Sequence, residues 1–187
     1  MSDPRSATPP QPDARERLIA SAIKLMSSQA PSSITGRQLA SHADVNYGLI
    51  HHYFGTKYDV FRAAIDRLVQ TYIADTASTS QTADLSVATL RRQRSVWKVF
   101  AQFALDDKAR SRIKWPYTVM RQELRDLAGE EPDRERRQLA ALDSAFTFGW
   151  VVFDPLLREA YDLDESDMEE AIIRFRELVA TPRRIGE

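Results

Sequence analysis

Apolar residues recur at helical spacing along most of the chain, and proline-rich or polar segments separate the helices that they predict. A first helix begins at Asp13, its expected N-cap, and ends at about residue 30, before Pro31. Further helices are predicted over residues 35–43, 46–54, 56–79, 85–105, 115–129, 133–160 and 166–180, with a turn or short helix at Asp106. Sustained period-two alternation is absent from the sequence, which indicates an all-α fold.

The composition is that of a chain that buries a core. Of its 187 residues, 43% are hydrophobic and 28% are charged, and none is cysteine. Apolar runs stay well below the roughly 18 residues that span a bilayer, so we expect a cytoplasmic protein. Residues 1–12 hold four prolines and predict a disordered tail, followed by a small domain over 13–72 and a larger domain over 73–187.

Charge is divided unevenly between the two ends of the chain. Residues 1–70 contain eight Lys/Arg and six Asp/Glu (net +2), and residues 71–187 contain eighteen and twenty-one (net −3). A basic front and an acidic back weakly favour a nucleic-acid-binding domain attached to a body that does not bind nucleic acid.

The segment 34–61 predicts two short helices around a tight turn, and it holds all three histidines of the chain. In such a helix-turn-helix, here over residues 35–54, the second helix presents its first turn to base edges in the major groove. Asn46 is the expected N-cap of that helix. Ile50 and Phe54, four residues apart, would share its buried face. Thr56 and Asp59 predict a capping box for the helix that follows.

Together these residues resemble the DNA-binding domain of the TetR family of bacterial regulators. The family's pattern is matched through Thr35, Leu39, Ala40, Ala43, Val45, Gly48, Ile50, Tyr53, Phe54, Thr56 and Lys57. Asp44 stands where the family usually has glycine, and aspartate tolerates the left-handed backbone that this turn needs. Asn46 replaces a Ser or Thr cap. His51 replaces a tyrosine that touches phosphate, and a neutral imidazole can still donate one hydrogen bond.

The motif and the resemblance together give a set of candidate DNA contacts. Lys57 is a candidate phosphate anchor, since an ammonium and free helix N–H groups converge there, and Gly48 would allow close approach to the DNA backbone. Tyr53 and Phe54 are expected in the core, and His42 on the surface. The DNA-binding candidates are Thr35, Gly36, Arg37, Asn46, Tyr47, Gly48, His51, His52 and Lys57.

The predicted helix over 133–160 is apolar nearly all round in its middle, so it must bury more than one face. Ala141, Ala145 and Gly149, four apart, would let a neighbouring helix approach closely. The resemblance implies a homodimer through the last two helices, which would place two recognition helices about 34–36 Å apart on an inverted-repeat operator. The alternative is a purely intramolecular core.

An aromatic-rich middle region suggests a ligand pocket, as the resemblance also implies. The candidate ligand residues are Trp97, Phe100, Trp115, Tyr117, Met120, Phe146 and Trp150. Few charges interrupt these faces, so a small apolar or aromatic effector is expected. The alternative for each aromatic residue is an ordinary core position.

The sequence therefore predicts a ligand-responsive transcriptional regulator, most simply a repressor, that needs no cofactor or metal. Catalysis is disfavoured, because the chain lacks cysteine, any histidine outside the motif, and the HExxH, GxSxG or Gly-rich phosphate-loop patterns. The remaining alternative is a DNA-binding regulator without an effector, controlled by its abundance or by a partner protein.

Overall fold

The computed structural model describes residues 13–78, 94–117 and 131–180, together with residues 121 and 125. The described residues form helices joined by short turns and contain no strand, which confirms the all-α class. In chain order the helices are α1 (Ala14–Met26), α2 (Gly36–His42), α3 (Gly48–Tyr53), α4 (Lys57–Ser78), α5 (Arg94–Ala104), α6 (Asp107–Ile113), α7 (Arg134–Tyr161) and α8 (Glu165–Ala180).

The chain divides into two compact units. Unit 1 comprises Met1–Ala77 and Lys98–Pro116, and unit 2 comprises Ser78–Trp97 and Tyr117–Glu187. The sequence-based boundary after residue 72 therefore lies inside α4, and the second segment of unit 1 comes from the region assigned to the larger domain. Hydrogen bonds explain this difference, because Asp106 accepts from Ser32 and Trp115 donates to Asp66 across long sequence separations.

The core of unit 1 holds the short helices α2 and α3 against α1. Leu18 and Met26 of α1, Leu39 of α2 and Ile50 of α3 are all buried. Phe61, at the start of α4, is also fully buried. Each such side chain contributes about 1.5–3 kcal/mol by leaving water. Helices of six and seven residues are unstable alone, so this packing fixes α2 and α3.

Side-chain caps define several helix starts. Asp106 begins α6 by accepting a hydrogen bond from the Ala109 N–H at 2.9 Å, and Asp133 begins α7 in the same way with Arg136 at 2.8 Å. At the start of α8, Asp164 and Asp167 each accept from the other's backbone N–H at 2.9 Å. These caps satisfy N–H groups that have no partner within a helix.

Helix α7 is bent, which the sequence pattern did not predict. Its two parts, Arg134–Trp150 and Val152–Tyr161, meet at 65°. Pro155 lies inside the helix and cannot donate to the carbonyl of residue 151, which accounts for a bend at this position. Among the described residues, no single helix is long and apolar enough to cross a membrane. The two parts of α7 reach that length and apolar composition only when they are taken together.

Several sequence-based expectations fall outside the described residues. They are the disordered tail over 1–12, the beginning of the helix expected over 85–105, most of the helix expected over 115–129, and the side chain of Met120. The other predicted helices are present, and their ends lie within four residues of the expected ones.

Candidate DNA-binding site

The turn between α2 and α3 is a Schellman motif with an aspartate at its left-handed position. Asp44 has a φ of 51°. Its N–H donates to the Ser41 carbonyl at 3.2 Å, and the Val45 N–H donates to the Ala40 carbonyl at 3.0 Å. These two bonds satisfy the last carbonyls of α2. The departure from glycine is therefore accommodated, as the sequence predicts, and the tight turn is kept.

Asn46 caps the beginning of α3 through its side chain. Its Oδ1 accepts a hydrogen bond from the Gly48 N–H at 2.8 Å, and its carbonyl accepts from the Leu49 N–H at 3.0 Å. This confirms the capping function, although the regular helix begins only at Gly48. A Cβ at Gly48 would meet just the Asn46 Oδ1, at 3.3 Å. Crowding within the chain is thus mild, and a close approach to DNA stays a prediction for this glycine.

Tyr47 immediately precedes α3 and lies beside the start of α2. It is 44% exposed. A Cβ built on Gly36 would lie 2.6 Å from the Tyr47 Cε2, closer than real Cβ atoms approach other atoms. Gly36 therefore leaves the space that the tyrosine ring occupies.

His51 is bonded at both ring nitrogens to groups of the same motif. Its Nδ1 lies 2.7 Å from the Gly55 carbonyl oxygen, and its Nε2 lies 3.3 Å from the Tyr47 hydroxyl. The two rings meet edge to face, with centroids 5.3 Å apart. Gly55 follows α3 with a φ of 89°, a left-handed conformation that glycine adopts without strain.

The helix that follows, α4, begins with the predicted capping box. The Thr56 N–H donates to the Asp59 carboxylate at 3.2 Å, and the Asp59 N–H donates to the Thr56 Oγ1 at 3.3 Å. The Thr56 hydroxyl also donates to the same carboxylate, at 2.6 Å. Reciprocal bonds of this kind fix where a helix begins, which here determines the position of Lys57.

The ammonium group of Lys57 contacts the loop between α1 and α2. It donates to the carbonyl oxygens of Ser32, at 3.2 Å, and Ile34. Partial burial lowers the pKa of Lys57, and the nearby positive charges of Lys108 and Arg112 lower it further, against an opposing effect of Asp106. An ammonium has three N–H donors, so one is left for a ligand such as a phosphate.

Asp106 holds the same loop from the other side. Its Oδ2 accepts from the Ser32 N–H at 2.7 Å, and the residue is only 7% exposed. Burial by itself raises the pKa of the Asp106 carboxyl, but hydrogen bonds from the Ser32 and Ala109 backbone, from the Ser32 side chain, and the charge of Lys108 outweigh it, so that the pKa is lowered. The sequence predicted a turn at Asp106 but not this contact.

The other candidate DNA contacts lie on the surface of unit 1. The Thr35 Oγ1 accepts from the Gln38 N–H at 3.0 Å, and its own hydroxyl hydrogen can still be donated. Arg37 and His52 are exposed. One expectation was wrong. Tyr53 is 39% exposed rather than buried. It lies in the last turn of α3, where its ring packs beside the exposed ring of His52, with centroids 4.8 Å apart.

The surface position of Tyr53 adds an aromatic hydroxyl beside the predicted contacts. The family's pattern did not indicate that Tyr53 is exposed. The apolar periodicity did not indicate it either, because a six-residue helix is too short to define a buried face. By contrast, Ile50 is buried and His42 exposed, as predicted. Phe54 is half-buried, with the Arg15 guanidinium 5.3 Å from the centre of its ring.

The candidate ligand residues are distributed over both units. In unit 1, Phe100 and Trp115 have ring centroids 5.3 Å apart, and the Trp115 indole N–H donates to Asp66 at 3.2 Å. In unit 2, Phe146 and Trp150 stack at 6.5 Å, Trp97 lies 5.0 Å from Phe148, and Tyr117 is 39% exposed. A ligand-binding function for these residues stays a prediction.

The geometry of α2, the turn and α3 is that of a helix-turn-helix DNA-binding protein. The sequence profile described as "Bacterial regulatory proteins, tetR family" matches residues 18–64, which include all three elements. Residues 18–64 therefore carry the DNA-binding domain of the TetR family of transcriptional regulators, which supports DNA as a partner of the chain.

Relatives similar over nearly the whole chain carry corresponding names. The chain is 27% identical over 175 residues to the HTH-type transcriptional repressor Rv3405c of Mycobacterium tuberculosis (strain ATCC 25618 / H37Rv), a similarity that covers 90% of each chain. The identity and coverage are the same for the HTH-type transcriptional regulator Mb3439c of Mycobacterium bovis (strain ATCC BAA-935 / AF2122/97). The similarity therefore extends well beyond the helix-turn-helix.

Proposed function

We propose that the protein is a ligand-responsive transcriptional repressor that binds a palindromic operator as a homodimer. The main observation behind this proposal is that α3 has one face buried in the core and another exposed to solvent. Ile50 anchors this helix in the core, while His51 and His52 on the helix and Tyr47 just before it remain exposed. Repression, rather than activation, is supported by the name of the relative from Mycobacterium tuberculosis.

Exposed apolar side chains on α7 and α8 support the homodimer. Phe146 of α7 stacks on Phe175 of α8 with ring centroids 4.0 Å apart, so the two helices already pack against each other within one chain. Leu142 and Leu156 nevertheless remain 66% and 61% exposed. The exposed apolar residues of this surface are Leu139, Leu142, Val152, Phe153, Leu156, Ile173 and Phe175. A second copy of the chain would remove this surface from water.

Small residues on α7 would let the partner's helix come close. Ala141 and Ala145 are exposed, and a Cβ built on Gly149 would meet nothing within 4 Å. This open space is where we propose that the partner's helix packs. Light scattering at micromolar concentration should report a dimer, and a monomer would contradict this part of the proposal.

Aromatic clusters support an apolar or aromatic effector, the finer part of the proposal. In unit 2, Trp97 and Trp150 are buried and Phe146 is half-buried, and their ring contacts form an aromatic cluster of the kind that binds flat apolar molecules. The fluorescent probe 1-anilinonaphthalene-8-sulfonate should bind with micromolar affinity and release bound DNA. Binding without release, or no binding, would favour the alternative of a regulator without a small-molecule effector.

Binding to DNA from the protein's own upstream region is the central test. Fluorescence anisotropy at low salt should show saturable binding to a duplex containing an inverted repeat, with two chains per duplex. A half-site duplex should bind much more weakly, because one short helix reads few base pairs. Equal affinity for both duplexes would contradict the dimeric mode, and no binding at low salt would contradict the repressor function.

A further inference from the structure

We infer that His51 is a positioning residue that makes the Tyr47 hydroxyl a hydrogen-bond acceptor toward DNA bases, rather than a phosphate contact itself. This inference rests on the proposed function, because it assumes that α3 enters the major groove. It assigns a task to the imidazole that stands where the family's pattern has tyrosine.

The hydrogen-bond network determines which ring nitrogen carries the proton. The Gly55 carbonyl oxygen can only accept, so the His51 Nδ1, 2.7 Å away, must donate. In the neutral ring the Nε2 is then an acceptor. Its neighbour at 3.3 Å is the Tyr47 hydroxyl, which must donate to it. Both nitrogens are used within the motif, so neutral His51 has no N–H left to give a phosphate.

The same network determines what Tyr47 can offer to DNA. A tyrosine hydroxyl has one hydrogen to donate and two lone pairs that accept. Since the hydrogen points to His51, only the lone pairs remain. In the major groove, the donors that match an acceptor are the amino groups of adenine and cytosine, whereas phosphates and the oxygens of guanine and thymine cannot donate.

The position of the Tyr47 ring is fixed as well as its hydrogen-bonding state. The ring occupies the space above Gly36, where any Cβ would come within 2.6 Å of it. Its edge-to-face contact with His51 and the bond from His51 to Gly55 hold it from the other side. The tyrosine is therefore ordered before DNA binds, which lowers the entropy that binding costs.

Selection from a randomised duplex pool tests the inference without a known operator. The wild-type protein should enrich, at one position of each half-site, adenine or cytosine over guanine or thymine on the same strand. One such hydrogen bond corresponds to a preference of about two- to tenfold. Tyr47→Phe should abolish this preference at that position and leave the other positions unchanged.

Two substitutions of His51 separate its two nitrogens. In His51→Asn, the amide N–H can still reach Gly55, but the acceptor for Tyr47 is lost, so guanine and thymine should become tolerated. In His51→Gln, the amide oxygen can replace the Nε2 acceptor, so much of the preference should survive. His42→Asn, at the exposed end of α2, is the matched control and should select the wild-type sequence.

Gly36→Ala tests the position of the ring while keeping both hydrogen-bonding groups. The added methyl group should displace Tyr47 and weaken the preference, although the thermal unfolding midpoint should stay the same or rise, since alanine favours helices more than glycine. An unchanged preference in this variant would show that the space above Gly36 does not place the ring.

The outcomes distinguish this inference from the proposed function. A wild-type protein that selects no sequence at low salt contradicts the proposed function itself. If the wild-type protein selects a palindrome and the Tyr47→Phe variant selects the same one, the proposed function stands, but Tyr47 does not read a base. If Tyr47→Phe weakens all sequences equally, the hydroxyl contacts the DNA backbone and the inference is wrong. Identical behaviour of His51→Asn and His51→Gln would contradict the assigned proton.

Discussion

Asp106 accepts a hydrogen bond from the Ser32 N–H at 2.7 Å, although 74 residues separate them in the sequence. The bond joins the start of α6 to the loop that leads into α2. The Lys57 ammonium donates to the carbonyl of the same Ser32 at 3.2 Å. Ser32, which precedes the helix-turn-helix, is thus held at both its N–H and its C=O group by residues that lie far from it in the sequence.

Removing the Asp106 carboxylate should destabilise the protein. In Asp106→Ala, the N–H groups of Ser32 and Ala109 lose their acceptor at a buried position, which costs about 1–3 kcal/mol. Urea unfolding should show this loss in the free energy of unfolding. Asp107→Ala is the control, because this neighbouring carboxylate is largely exposed and should contribute less than about 0.5 kcal/mol. Equal effects of the two substitutions would contradict the structural importance of Asp106.

The same carboxylate should make stability depend on pH in the acid range. The pKa of Asp106 is lower in the folded chain than its ordinary value of about 3.9, so the folded state binds this proton less readily than the unfolded state. Its contribution is complete above that ordinary value and is lost as the pH falls through the lower, folded-state value. Between pH 6 and about 2.5, the free energy of unfolding should therefore fall less steeply in Asp106→Ala than in the wild type. Parallel pH profiles would contradict this assignment.

Local sequence signals predicted those parts of the site that depend on neighbouring residues. The cap at Asn46, the capping box of Thr56 and Asp59, and the left-handed Asp44 are all present, because each depends on side chains within a few residues of one another. The family's pattern added Lys57 to the candidate contacts. These are the features for which residue type and spacing determine the conformation.

Contacts between distant residues could not be predicted in the same way. Nothing near Asp106 in the sequence indicates Ser32 as its partner, because tertiary packing brings the two together. The exposure of Tyr53 depends on which way a short helix faces, and the bond between His51 and Tyr47 depends on the rotamers of two side chains. The bend of α7 did have a local signal, since Pro155 lies within its apolar run.

Replacing Lys57 should affect both stability and DNA binding. Lys57→Met keeps the apolar stem but removes two hydrogen bonds to loop carbonyls, which should lower the free energy of unfolding by about 1–3 kcal/mol. If the remaining N–H meets a phosphate, affinity for all sequences should fall, and the slope of log K against log salt should become less negative by about one for each chain, or about two for the dimer. Lys24→Met, on the exposed side of α1, is the control. An unchanged slope would confine Lys57 to its internal contacts.

Substitutions of Asp44 test the turn. A left-handed backbone costs most L-residues about 1–2 kcal/mol, but glycine nothing and aspartate less than alanine. Asp44→Gly should therefore be as stable as the wild type or slightly more stable, and Asp44→Ala should lose about 1 kcal/mol in chemical denaturation. Asp44→Asn separates conformation from charge, because it tolerates the same φ but cannot pair with Arg17, 3.6 Å away. A loss in Asp44→Asn equal to that in Asp44→Ala would show that the ion pair matters instead.

The proposed dimer can be tested at Gly149, because a larger side chain there should meet the partner chain but no residue of its own chain. A Cβ there meets nothing within 4 Å, so Gly149→Leu should fold normally and even gain helix propensity of up to about 1 kcal/mol. If the partner's helix packs on this position, the larger side chain should keep it away and weaken the dimer at least tenfold in sedimentation equilibrium. Gly149→Ala, which adds one methyl group, should weaken it much less.

Leu156→Glu tests the segment beyond the bend, where burying a charge against the partner should also dissociate the dimer. A dimer that both large substitutions leave intact would place the interface away from the exposed surface of α7, and a wild-type monomer would exclude it altogether.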